Sequence, residues 1–174
     1  MTSVILRVVL RWSVYVVAAL WLGGVVGIGA FTAPQAFHTL ESTHMISGVA
    51  SAKLLAGQII GGSLRKFNVL CIVCGAILVV GTVGELFTRR PLQAWKMAVG
   101  GSAIVTSCFL LASVFYLELV QFPALDYAQA SGNMISFDRL HKGYENISYA
   151  QLPLLILLFL LWAIADVLRT REHA

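Results

Sequence analysis

The chain has 174 residues, 59% of them hydrophobic and only 11% charged, against roughly 25% charged in an average soluble domain. That balance excludes an ordinary water-soluble domain and points to a bilayer as solvent, because lipid removes the need for a charged exterior. The net charge of +4 and pI near 9.2 come without any run of Lys and Arg interleaved with aromatics, which excludes nucleic-acid binding.

From the N-terminus, Arg7 and Arg11 precede an apolar core that ends in small residues, an imitation of a secretion signal. The apolar run of about 20 residues exceeds the roughly 7 to 15 of a signal core. It therefore reads as a retained first span, 12–31. Within it, Gly23 and Gly27 have the spacing that lets helices approach closely. Thr32-Ala33-Pro34 should end or kink the span, because proline disfavours helical geometry in the residue before it. In the connector that follows, Met45, Val49, Ala52, Ala56 and Ile59 recur at helical spacing opposite Ser47, Ser51 and Gln58. This predicts a short amphipathic helix over 45–63, too polar to span, lying at the interface or tucked against the bundle. Gly57 and Gly61 repeat the four-residue glycine spacing there, and for both pairs tight packing within the chain is the simplest reading, with a partner helix from another protein as the alternative.

A second span, 67–87, carries Cys71-x-x-Cys74, and a third, 97–119, carries Cys108. Three cysteines in apolar runs make a poor disulfide framework. The pair on a membrane helix lacks the setting of a thioredoxin-type site and reads as small apolar packing, with copper(I) on paired thiols as the alternative. After a predicted loop over 120–136, a fourth span covers 147–168. Pro153 inside it frees the carbonyl of Tyr149 and predicts a bend. Four spans in one domain, 1–174, give an all-α integral membrane four-helix bundle with an additional short amphipathic helix between the first two spans.

Lysines and arginines set the orientation. With the N-terminus inside, the inner side holds Arg7, Arg11, Arg89, Arg90, Lys96, Arg169 and Arg171, and the outer side Lys53, Arg65, Lys66, Arg139 and Lys142. Seven against five places both termini in the cytoplasm, of a bacterial inner membrane. No repeat joins the two halves, which argues against an inverted-repeat transporter.

The stretch FDRLHKGYENIS, 137–148, is the densest polar cluster, and on a helical wheel Asp138, His141, Glu145 and Ser148 share one side. It reads as the amphipathic start of the fourth helix, whose i, i+4 pairs contribute only tenths of a kcal/mol each. The alternative is a metal site, since imidazole with two carboxylates suits zinc, iron or manganese. Asp138, His141 and Glu145 would be its ligands, with His38, Glu41, His44 and Glu118 as further candidates. Arg65 or Lys66 could pair with Glu118 or Asp138 where the outer helix ends meet. No nucleophile with a neighbouring base, phosphate loop or paired-histidine haem pattern is present in the sequence, so no catalytic constellation emerges. A haem or pigment held by one histidine stays open.

Taken together, WLGGVVGIGAFTAPQAF, SAKLLAGQIIGGSLRKFNVL, and FDRLH leading into QLPLLILLFLLWA resemble the transmembrane-protein-205-like family of four-span membrane domains of unknown function. The resemblance covers nearly the whole chain in layout. It implies an aromatic residue shortly before a histidine on the fourth helix, met here by Phe137 and His141, and later small polar positions such as Ser148. Tyr144 stands where a smaller residue belongs, and 120–136 departs from the pattern. The leading expectation is a non-enzymatic, multi-pass accessory or scaffolding subunit packed against other membrane proteins. The alternatives are a metal or solute handling protein with an outer-side site around His141, and a haem- or pigment-associated redox subunit.

Overall fold

The computed structural model describes residues 2–42, 49–87 and 94–170. They form α1 (Thr2–Val26), a π-helical turn (Gly27–Thr32), α2 (Ala33–Ser42), α3 (Val49–Phe87), α4 (Ala94–Tyr116), a second π-helical turn (Leu117–Gln121), α5 (Phe122–Ala130) and α6 (Met134–Thr170). Among the described residues there is no strand, and four helical stretches are long and apolar enough to cross a bilayer: Val8–Leu40, Gly57–Leu86, Met97–Ala130 and Met134–Val167. The all-α four-helix bundle is thus the fold.

Its elements are longer and more continuous than the sequence suggests. Pro34 does not end the first helix and Pro123 does not start a loop, because each follows a π-helical turn directly. A proline lacks an N–H and its ring crowds the carbonyl four residues back. Those carbonyls belong to Ala30 and Leu119, both inside the widened turns. There the i→i+5 pattern makes room, and the chain passes from span to extension without exposing its backbone. The amphipathic connector residues are helical from Val49, but they run unbroken into the second span within the 39 residues of α3. No proline interrupts that passage, and Ser63 returns its hydroxyl to the Ile59 carbonyl. In α6, Pro153 is carried inside one continuous helix.

The chain turns between α5 and α6 on Ser131-Gly132-Asn133. Gly132, at φ 68°, takes the left-handed conformation that closes a helix. The Asn133 side-chain oxygen accepts from the Ser136 N–H and caps the next helix.

Inside the bundle, Trp21, Leu78, Leu110, Leu155 and Leu158 are fully buried, and Cys71 and Cys74 belong to the same core. Around it, Trp12, Val80, Val105, Phe109 and Leu160 face outward, each more than half exposed. In water such a surface would be an association hazard. In hydrocarbon it costs nothing. Charged groups fall into two belts: Arg11 and Asp166 pair at one end, beside Glu85, while Arg65, Glu118 and Asp126 pair at the other. Along α3 the 20 steps from Arg65 to Glu85 cover roughly 30 Å at 1.5 Å per residue, the thickness of a hydrocarbon core. Buried hydroxyls between the belts bond back into their own helices, as Thr82 to Leu78 at 2.6 Å and Ser107 to Ala103 at 2.9 Å.

Helices meet most closely at glycines other than those singled out by spacing. A methyl at Gly24 would overlap the Phe67 ring, one at Gly81 would overlap Val14, and one at Gly75 would crowd Leu111. At Gly23, Gly27, Gly57 and Gly61 an added Cβ meets nothing within 4 Å. The reading of those four as tight packing within the chain is corrected: they border open space. Gly81→Leu should therefore cost about 1 to 3 kcal/mol by overpacking, seen as a lowered Tm in detergent. Gly23→Leu should leave the Tm unchanged or raised.

Candidate functional site

Two hydrogen-bonded chains tie the helices together, the first below the belt carrying Arg65 and the second at it. In the first, the Trp21 indole N–H donates to Gln151 Oε1 at 3.2 Å, Gln151 Nε2 donates to Ser113 Oγ at 3.0 Å, and Ser113 donates to the Leu110 carbonyl at 2.7 Å. This joins α1, α6 and α4 through a fully directed relay that ends on backbone. A glutamine at this depth is tolerable only with its polar atoms engaged, and Gln151 is 3% exposed.

In the second, Tyr144 Oη donates to Asn68 Oδ1 at 3.1 Å and Asn68 Nδ2 donates to Glu118 at 3.4 Å. Arg65 contacts Glu118 at 3.5 Å and donates to Asp126 at 3.0 Å, and its guanidinium lies over the Phe122 ring at 5.3 Å. The Arg65–Glu118 contact matches a pairing read from the sequence, and Asp126 is a second partner from α5. Gln121 braces the same corner by donating to the Leu140 carbonyl at 2.6 Å, an approach that needs the bare Cα of Gly143.

Between these chains lies a cleft of about 210 Å3. Its walls come from Val25, Ile28 and Gly29 near the first π-helical turn, Gly57, Gly61 and Phe67 on α3, Phe122 and Asp126 on α5, and His141, Tyr144, Glu145, Ser148, Tyr149 and Gln151 on α6. Trp21 and Gln151 bond across α1 and α6 at its inner end; above that bond the two helices form opposite walls. The volume exceeds the roughly 150 Å3 of a cavity that takes up benzene and lies below the roughly 300 Å3 at which drug-sized sites begin. It suits a small ligand, or one segment of a larger one. The lining is mainly apolar, with Asn68 and Gln151 at depth and carboxylates at the rim, the composition of a binding cleft rather than of a packing defect.

The residues singled out for metal meet different fates. His141 and Glu145 both line the cleft, with Nε2 and Oε1 3.4 Å apart. Asp138 is exposed and does not line it, and Glu118 sits behind Asn68. His38 is exposed on α2, His44 lies outside the described residues, and nothing is described of the Glu41 side chain. Among the described residues no group of three His, Cys, Asp or Glu side chains is placed to hold a metal ion. Cys71 and Cys74 stay in the apolar core, and Cys108 faces outward. The Phe137 and His141 rings stack at 5.9 Å and 9°, a flat wall at the mouth.

No protein-family model, curated protein or solved structure matches the chain, so the reading of the site rests on its own geometry. The Trp21–Gln151–Ser113 relay supplies the first prediction about it. Gln151→Leu leaves the indole N–H and the Ser113 hydroxyl without their cross-helix partner. It should cost about 0.6 to 2 kcal/mol, the range of interhelical hydrogen bonds in membranes. A lowered Tm checks this.

Proposed function

We propose that this chain is a non-enzymatic, multi-pass membrane protein that binds a small amphiphilic ligand in the cleft beside His141. The observation that carries the reading is the cleft itself, whose apolar walls lie at membrane depth and whose polar groups gather at two levels. Tyr149 is 56% exposed and stands on one wall about 6 Å, four residues of helix, below Glu145. That position favours entry sideways from the bilayer. Of the expectations set by the sequence this corresponds to solute handling around His141. A metal would need ligands that the described residues do not bring together.

A second reading, an accessory subunit of a larger membrane assembly, is favoured by one observation. Gly23 and Gly27 border open space on the first span, where a neighbouring protein's helix could approach closely. Under this reading, Gly23→Leu with Gly27→Leu should strip partner subunits retained in mild detergent while the chain keeps its Tm; unchanged retention would contradict it. We further infer, from the excess of Lys and Arg on one side, that both termini face the cytoplasm of a bacterial inner membrane. Membership of the transmembrane-protein-205-like family is proposed on the residues quoted above.

The cleft is tested by filling it. Gly61 lines it and an added Cβ there touches nothing, so Gly61→Phe should occlude the space without unfolding the helix, which gains propensity by losing a glycine. The probes are 2-naphthylethylamine, 2-naphthylethanol and 2-naphthylacetate, titrated against the chain in phosphatidylcholine nanodiscs with empty discs as blank. At least one should bind saturably and lose tenfold or more in affinity in Gly61→Phe at unchanged Tm. Equal binding by both proteins, or none by either, would overturn the reading.

A further inference from the structure

Building on the cleft as a ligand site, we propose that its ligand is a lipophilic monocation: an apolar, flat body about one or two rings in size carrying a single ammonium-type head. Charge is the first argument. Asp126 and Glu145 line the cleft, and among the described lining residues there is no lysine or arginine. Glu118 stands directly behind, and Arg65 is already held between Glu118 at 3.5 Å and Asp126 at 3.0 Å. The described lining itself therefore carries an excess of negative charge, two carboxylates, while Arg65, Lys66, Arg139 and Lys142 stand outside it. A carboxylate or phosphate head would meet that excess unpaired, whereas a cation offsets it.

The walls give the second argument. Phe67, Phe137, Tyr144 and Tyr149 present aromatic surface around the space, and ring faces attract an ammonium, more strongly once water is displaced. Phe122 shows the preference already, since its face holds the Arg65 guanidinium at 5.3 Å. The parallel stack of Phe137 on His141 favours a flat body over a branched one. A volume of about 210 Å3 admits such a body but not two acyl chains. The head would sit between Asp126 and Glu145, with the apolar part reaching down toward Gln151.

An ammonium of this kind has two sources, a free lipophilic amine or the headgroup of an aminophospholipid whose chains stay in the bilayer. The three naphthyl probes differ only in head charge and separate ligand class from cleft. In phosphatidylcholine nanodiscs the full chain should bind 2-naphthylethylamine at least tenfold tighter than 2-naphthylethanol, with 2-naphthylacetate weakest. Glu145→Gln, at an exposed position paired with His141, should reduce the preference for amine over alcohol severalfold, and Asp126→Asn with Glu145→Gln should abolish it. Asparagine at 126 keeps an acceptor for Arg65, so the corner stays closed, and an unchanged Tm verifies this. If the alcohol or the acetate binds as tightly as the amine while Gly61→Phe still blocks all of them, the cation assignment fails and the cleft stands. If Gly61→Phe blocks none, the cleft itself fails. Phosphatidylethanolamine doped into the discs distinguishes the sources: competition with the amine assigns the ammonium to a headgroup, and its absence assigns it to a free amine.

Discussion

A polypeptide in hydrocarbon has no water to bond to, so each backbone N–H and C=O must find its partner within the chain. That constraint shapes this molecule more than any contact between side chains. It keeps four helical stretches unbroken across the slab and carries all four beyond it. It is also why Pro34 and Pro123 are absorbed by π-helical turns rather than by loops. Those two turns lie toward the same end of the bundle, where the first contributes Ile28 and Gly29 to a cleft wall and the second places Glu118 and Gln121 behind it. The local adjustment that saves the backbone also stands beside the cleft.

The same constraint governs side chains. Gln151 sits well below the charged belt, with Trp21 donating to it and Ser113 accepting from it. Asn68 is likewise engaged on both sides by Tyr144 and Glu118. Polar groups that would be costly alone become joints between helices once paired. The Gln151 joint stops short of the rim, while the Asn68 joint runs through Glu118 and Arg65 to Asp126, which lines the cleft with His141 and Glu145. The floor is closed by structure and the mouth is left for chemistry.

The fold was largely legible in the sequence because length and hydropathy suffice to mark a span. Helix continuity was not. A rule that proline ends a helix weighs only the missing N–H, whereas a widened turn can relieve both the bond and the clash, and no residue pattern announces it. Of the cleft, His141 and Glu145 were visible as polar residues on one helical side, and the Phe137–His141 spacing gave the stacked wall. Asp138 shares their wheel position but not their surroundings, since periodicity says which side a residue takes and not what packs against it. Gln151 could have been found: a lone glutamine ahead of PLLILLFLLWA demands a partner at depth. Tyr144, where the resemblance implied a smaller residue, donates its hydroxyl proton to Asn68. Asp126 was hidden inside a segment taken for a loop. The glycine spacing misled, because four residues apart marks one face without saying whether another helix lies on it; Gly24 and Gly81, not Gly23 and Gly27, make the close approaches.

The central claim is that the space above the Trp21–Gln151 bond is held open for a ligand. A density map of the full chain in lipid nanodiscs, prepared from native membranes without added ligands, tests it most directly. The account predicts non-protein density between Val25 and Ile28 on one wall and Ser148 and Tyr149 on the other, its outer end within contact of Asp126 and Glu145. A map in which α1 and α6 close on each other above Gln151, with Phe67 and Tyr149 filling the gap, would contradict it.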